Sequence, residues 1–192
     1  MVRINRIYTR TGDKGTTGLV AGPRRKKHDL RVASYGEVDE TNCCVGLARQ
    51  HLSAEPALDA MLMRIQNDLF DLGADLANPE TGKPLDYEPL RIVQSQVDRL
   101  EGEIDLLNAD LEPLRSFVLP GGTPAAAALH LARTVARRAE RRIVALRDQE
   151  GETVSDVALA YINRLSDFLF VAARWINDRG RSDILWVPGK NR

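Results

Sequence analysis

The stretch Tyr8-Thr-Arg-Thr-Gly-Asp-Lys-Gly-Thr-Thr-Gly18 gathers groups that a chain of phosphates needs. Gly12, Gly15 and Gly18 permit positive φ and let the backbone approach a ligand closely. Thr9, Thr11, Thr16 and Thr17 offer hydroxyls, while Arg10, Lys14 and the run Arg24-Arg25-Lys26-Lys27 offer positive charge. Successive backbone N–H groups with cations beside them cradle oxyanions. The Walker A order of glycines and lysine is absent, so this is not a P-loop. An ordinary glycine-rich turn is the other reading of the same residues. Residues 1–31 hold nine basic side chains against two acids, Asp13 and Asp29. That excess is either a solvated basic tail or a loop built to hold a polyanion.

A second cluster lies in His130-Leu-Ala-Arg-Thr-Val-Ala-Arg-Arg-Ala-Glu-Arg-Arg142. On a helix, Arg133, Arg137, Glu140 and Arg141 share one sector of about 100°, and Arg138 and Arg142 point away from it. Leu129, Ala136, Ala139 and Ile143 occupy the adjoining sector, so the charged groups are expected to be partly buried. A half-buried arginine cluster needs anions, from a carboxylate or from a ligand phosphate. A surface ion-pair network is the competing account.

The third cluster is Asn163, Ser166 and Asp167, with Phe170 among them, off the main apolar face of its segment. Contact on both sides of that segment fits a bundle interior, a subunit interface or a purine pocket. An asparagine can meet a base edge with one donor and one acceptor.

Long helices must carry these groups. Tyr35, Val38, Val45, Ala48 and Leu52 recur at helical spacing from about Leu30. Leu58, Met61, Leu62, Ile65, Leu69, Leu72 and Leu76 make a second stripe, ending at Asn78-Pro79 before a turn-like Glu-Thr-Gly-Lys-Pro. Leu90, Val93, Val97, Leu100, Ile104 and Leu107 make a third. A loop over Phe117 to Pro124 precedes a fourth helix, expected from Pro124 to Arg147 with Thr123 as N-cap. A fifth is expected from about Thr153 to Asp178, with Val154, Val157, Tyr161, Leu165, Phe168, Ala172 and Trp175 on one face and Gly180 as its stop. No period-2 strand of useful length and no internal repeat is visible. The expected fold is all-α, a single five-helix bundle domain over 1–192. It divides into a basic arm (1–31), the bundle (32–178) and a C-terminal tail (179–192).

The 192 residues suffice for one domain with a real core. Lys plus Arg (27) balance Asp plus Glu (27), which argues against nucleic-acid binding by bulk charge. No apolar run reaches the ~18 residues of a membrane span, and the first residues lack an apolar signal core. The two cysteines, adjacent at Cys43 and Cys44, point to a reducing compartment and read as buried small residues. His28, His51 and His130 show no metal-ligand spacing, and none reads as a catalytic acid, base or zinc ligand. Asp13 reads either as a carboxylate near a divalent cation accompanying the phosphates or as a turn cap.

Taken in order, the clusters resemble the ATP:cob(I)alamin adenosyltransferases of the propanediol-utilisation type. The matching segments are Tyr-Thr-Arg-Thr-Gly-Asp-Lys-Gly, Gly36-Glu-Val-Asp-Glu-Thr-Asn42, Ile65-Gln-Asn-Asp-Leu-Phe-Asp-Leu-Gly-Ala74, Phe117-Val-Leu-Pro-Gly-Gly122, His130 to Arg142, and Asn163-Arg-Leu-Ser-Asp-Phe-Leu-Phe170. They span nearly the whole chain. Thr41 stands where family members usually carry an apolar residue, and Cys43-Cys44 where small residues are common.

The resemblance implies a cytoplasmic homotrimer of five-helix subunits with active sites between neighbouring chains. It implies transfer of the 5′-deoxyadenosyl group of ATP to the cobalt of cob(I)alamin, with triphosphate released. By motif match, Thr9, Arg10, Thr11, Gly12, Thr17, Gly18 and Lys27 would wrap the triphosphate. Arg137, Arg138, Glu140, Arg141 and Asn163 would complete the ATP site from the adjacent subunit. Asp39 and Arg133 would form an ion pair across the subunit boundary. Phe117 would sit below the corrin, excluding the lower axial ligand so that cob(II)alamin is reduced more easily. Arg137, Lys27 and Mg²⁺ would stabilise the leaving triphosphate. A corrinoid reductase and an adenosylcobalamin-dependent enzyme are the partners implied, with no nucleic acid and no membrane. A non-catalytic ATP- or corrinoid-binding helical module is the alternative.

Overall fold

A computed structural model describes residues 7–80 and 88–192. Arg3 and Arg6 of the arm, and most of the Glu-Thr-Gly-Lys-Pro turn, lie outside these residues. Five helices dominate: α1 (Leu30–Arg49), α2 (Pro56–Leu76), α3 (Gln94–Asn108), α4 (Pro124–Arg147) and α5 (Asp156–Ile176). Two strands of two residues each, β1 (Thr16–Thr17) and β2 (Arg25–Lys26), pair antiparallel within the arm.

Local chemistry sets most helix boundaries. The Asp29 carboxylate accepts from the Arg31 N–H and caps α1. Pro56 opens α2, and Pro124 opens α4 behind a Thr123 hydroxyl that accepts from Ala126 N–H at 3.1 Å. Ser155 caps α5 in the same way, so that helix starts at Asp156 rather than at Thr153. The third stripe was expected to include Leu90 and Val93. Both lie ahead of α3 and are exposed, because the chain is still extended there.

In the packing, α1 lies against both α2 and α4, and α5 against both α4 and α3. The core is almost wholly aliphatic, with Phe168 and the ring of Tyr161 at its centre. Burying each large apolar side chain contributes roughly 1.5–3 kcal/mol. A polar knot interrupts this core. The Tyr161 hydroxyl donates to Asp68 Oδ2 at 2.8 Å, Gln96 Nε2 donates to Asp68 Oδ1 at 2.9 Å, and Arg99 pairs with the same carboxylate. Burial and the Asp68 charge push the Tyr161 phenol well above its usual value. The knot ties α2 and α3 to α5.

Two sequence expectations need correction. Cys43 is exposed and Cys44 only half-buried, because α1 turns that edge outward. Arg31 reads as one of the arm's available cations, yet it is 1% exposed. Its guanidinium donates to Leu76 O (2.8 Å), Thr153 O (3.0 Å) and Glu152 (2.8 Å), so all three of its nitrogens are engaged inside the bundle. No helix among the described residues is long and apolar enough to cross a membrane.

Candidate functional site

The basic arm is a folded hairpin. Lys27 N–H donates to Gly15 O at 2.9 Å, continuing the β1–β2 ladder. Arg24 crosses it, donating to Thr11 O and Thr16 O at 2.9 Å each. Gly12 lies close under the Lys27 side chain, and a Cβ there would come within 3.2 Å of its ammonium. The hydroxyls of Thr9 and Thr11 lie 3.0 Å apart. Thr9, Arg10, Thr11, Gly18 and Lys27 are exposed, and Gly12 and Thr17 are half-buried. The hairpin therefore presents hydroxyls, glycine backbone and an ammonium outward together.

The arm is docked on the bundle. Val20 N–H donates to Ala77 O at 2.9 Å, just past the end of α2. Thr17 meets the Tyr35 hydroxyl of α1, and burial raises the Tyr35 phenol above its usual value. Arg25 pairs with Glu152, in the α4–α5 loop, at 2.8 Å.

The charged face of α4 divides into two flanks. On one, Arg137 and Arg141 are exposed, and Arg141 Nη1 donates to Arg137 O at 3.0 Å. Glu140 is half-buried and accepts from Asn163 Nδ2 at 2.8 Å, linking α4 to α5. The partial burial expected for this row thus holds for Arg133 and Glu140 only. On the other flank, Arg138 pairs with Glu40 and, at 3.6 Å, with Glu37; Arg142 pairs with Glu37 at 3.0 Å. These two arginines face α1, which is why the helical wheel aims them away from Arg137.

Arg133 is half-buried beside Phe170, with its guanidinium 6.0 Å from the ring centroid. Its Nε is buried with no hydrogen-bond partner. Burial and the neighbouring Arg137 pull its pKa below the usual arginine value. Asp39 is exposed on α1, and the two do not pair within one chain. His130 is fully buried, neither ring nitrogen is bonded, and burial and Arg133 lower its pKa.

Phe117 is 75% exposed on the loop before α4. With Leu114, Ser116, Val118, Arg133 and Phe170 it lines an open cavity of about 410 Å³. The tail holds this loop, a feature the sequence did not reveal. Leu119 N–H donates to Ile184 O (2.7 Å) and Trp186 N–H to Phe117 O (2.8 Å), around an antiparallel bridge between Val118 and Leu185. The Trp186 ring lies 6.0 Å from that of Phe117. Below, Asn177 Oδ1 accepts from Thr123 N–H at 3.0 Å, and Asp183 is locked to Arg174 at 2.8 Å. Gly122 has φ +99°, and a Cβ there would collide with Asn177 at 2.3 Å, so the loop admits only glycine.

The structure thus joins a five-helix bundle, a docked Gly/Thr hairpin, an arginine row and an aromatic cavity in one chain. The chain belongs to the cobalamin adenosyltransferase family, whose profile matches residues 7–176. It is 50% identical over 191 residues to the corrinoid adenosyltransferase of Mycobacterium tuberculosis, covering 100% of this chain and 97% of that one. It is 48% identical over 177 residues to that of Bacillus subtilis, covering 91% and 88%. Among solved structures, a variant PduO-type ATP:corrinoid adenosyltransferase from Lactobacillus reuteri, complexed with ATP, superposes with a TM-score of 0.84 at 41% identity, covering 94% of this chain and all of that one. Another variant of that enzyme, complexed with cobalamin and ATP, gives 0.83. The chain is therefore an enzyme of the corrinoid adenosyltransferase class.

Proposed function

We propose that this enzyme moves the 5′-deoxyadenosyl group of ATP to the cobalt of cob(I)alamin and releases triphosphate. The observation that carries the reading is the cavity floored by exposed Phe117 and rimmed by Phe170 and the unsatisfied Arg133. Phe117 meets the Trp186 ring on one side yet stays 75% exposed, and its open face fits a flat macrocycle.

The hairpin would bind the triphosphate through Thr9, Arg10, Thr11, Gly12, Thr17, Gly18 and Lys27. Arg137, Arg138, Glu140, Arg141 and Asn163 would complete the ATP site. Arg137 stands ten residues before the end of α4, about 15 Å along the helix, whereas the hairpin meets the bundle at Tyr35, Ala77 and Glu152. In a homotrimer, the hairpin of one chain and the arginine row of a neighbour would close on one nucleotide. Asp39 of one chain would supply the anion that Arg133 of the next lacks. Arg138 would serve from its α1-facing flank, leaving Glu37 and Glu40 as its partners in the empty enzyme.

The reaction is an in-line displacement at the ribose C5′ carbon. Co(I) is itself the nucleophile, so the chain needs no base, and none of its histidines is used as one. As the C5′–O bond breaks, charge grows on the triphosphate, and Arg137 and Lys27 would offset it. Phe117 would exclude water and the nucleotide base from the lower face of cob(II)alamin. Losing that ligand lowers the orbital that receives the electron, so reduction to Co(I) becomes easier. No group of three His, Cys, Asp or Glu among the described residues could cage a metal ion. Mg²⁺ fits only as a companion of the triphosphate, whose oxygens would supply most of its ligands, with Asp13 the exposed carboxylate of the hairpin.

The test is to mix ATP with chemically reduced cobalamin. Adenosylcobalamin, followed by its spectral shift, should appear together with triphosphate in equal amounts. Binding of both substrates without product would leave a non-catalytic module instead.

A further inference from the structure

We infer that Glu152 is a positioning residue for ATP, acting through Arg25 to hold the hairpin in its binding posture. This rests on the reading that the hairpin binds the triphosphate. Glu152 lies just before α5, and its side chain is only 4% exposed. One oxygen is taken by Arg31, 2.7 Å away and itself buried. The other is taken by Arg25 of β2 at 2.8 Å. Arg25 also reaches Asp29, the cap of α1, at 3.3 Å.

The result is a continuous chain of charge-assisted bonds from β2 through Glu152 to Arg31 and on to Leu76 O at the end of α2. Such bonds are stronger than neutral ones, and burial shields them from water. Arg25 lies two residues from Lys27, so fixing Arg25 also fixes the backbone that carries the Lys27 ammonium. Arg25 itself is spent on the bundle and is not part of the outward-facing set. Glu152 thus raises the fraction of molecules whose hairpin is already docked. Apparent ATP affinity scales with that fraction.

Two substitutions separate positioning from bulk charge. Arg25→Leu removes one positive charge; Glu152→Gln removes one negative charge, and its amide oxygen still accepts from Arg31. A pure charge effect would weaken ATP in the first and tighten it in the second. Positioning weakens both: if docked hairpins fall to about a tenth of molecules, the ATP KM rises roughly tenfold. The kcat at saturating ATP and the cobalamin KM should stay within about twofold, the signature of lost uniform binding. Without ATP, the Val20 and Lys27 amides should exchange hydrogen faster in both variants. Arg25→Lys, which keeps a charge in reach of Glu152, should restore most of the ATP KM.

Unchanged exchange in Arg25→Leu, or a lower ATP KM in Glu152→Gln, overturns the inference. Lys27→Ala keeps its failure distinct from that of the underlying reading. If Lys27→Ala raises the ATP KM and Arg25→Leu does not, only the role of Glu152 falls. If neither moves it while exchange still quickens, the hairpin is not the ATP site, and Glu152 is merely a structural pin.

Discussion

Asn163 of α5 donates to Glu140 of α4 at 2.8 Å, one turn from where Arg137 leaves the helix. Glu140 is thereby occupied by a neutral donor and makes no ion pair with Arg137 within the chain. Arg137→Ala should lower kcat and kcat/KM for ATP by roughly a hundredfold, the scale for losing one group that offsets charge in the transition state. Steady-state kinetics in ATP decide the matter; unchanged kcat and KM would place the side chain in solvent throughout turnover.

Phe117→Ala should leave ATP affinity intact and remove most of the adenosylation rate starting from cob(II)alamin. Calorimetry with ATP and a turnover assay read the two effects separately. Wild-type turnover would take Phe117 out of the chemistry.

Arg133 carries a buried, unbonded Nε, and Asp39 is exposed on α1. Asp39→Ala or Arg133→Ala should weaken subunit association by about 2–5 kcal/mol. The double exchange Asp39→Arg with Arg133→Asp should restore it. Sedimentation across a concentration series measures this, and unaltered assembly in both single variants would dissolve the pair.

Tyr161→Phe removes one of the donors to the buried Asp68 carboxylate. The expected cost is about 1–3 kcal/mol of folding stability, read from the urea midpoint at unchanged m-value.

His130 gives a pH signature. Its folded pKa lies below the ordinary 6.5, through burial first and Arg133 second, with Asp183 opposing weakly. As pH falls through 6.5, the unfolded imidazole takes a proton that the buried ring still refuses. The unfolded state then binds more protons, so stability drops with pH in that window. Urea denaturation at pH 7.5 and 5.5 should show a smaller drop for His130→Leu than for the wild type; equal drops would assign the slope to other groups.

The elements most legible in the sequence were those with local signals. Thr123-Pro124 placed the start of α4, and the heptad-like stripe over Leu58–Leu76 placed α2. Leu90 and Val93 misled because an apolar residue in an extended lead-in is spaced no differently from one in a helix. The Asp68–Tyr161 bond and the Arg25–Glu152–Arg31 chain were invisible because they join residues about 90 to 130 positions apart. Motif order named the candidate site residues, but it could not say that Arg138 faces α1 or that Arg31 is sealed inside. The pairing of residues 184–186 with 117–119 has no periodic signature at all.

That last pairing gives the molecule its own optical gauge. The sequence has two tryptophans. Trp175 is 9% exposed, stacked under Arg179, whereas Trp186 is 44% exposed with its ring 6.0 Å from that of Phe117. A coloured guest seated against Phe117 should quench tryptophan emission by energy transfer. Occupancy could then be followed in unlabelled protein from emission alone.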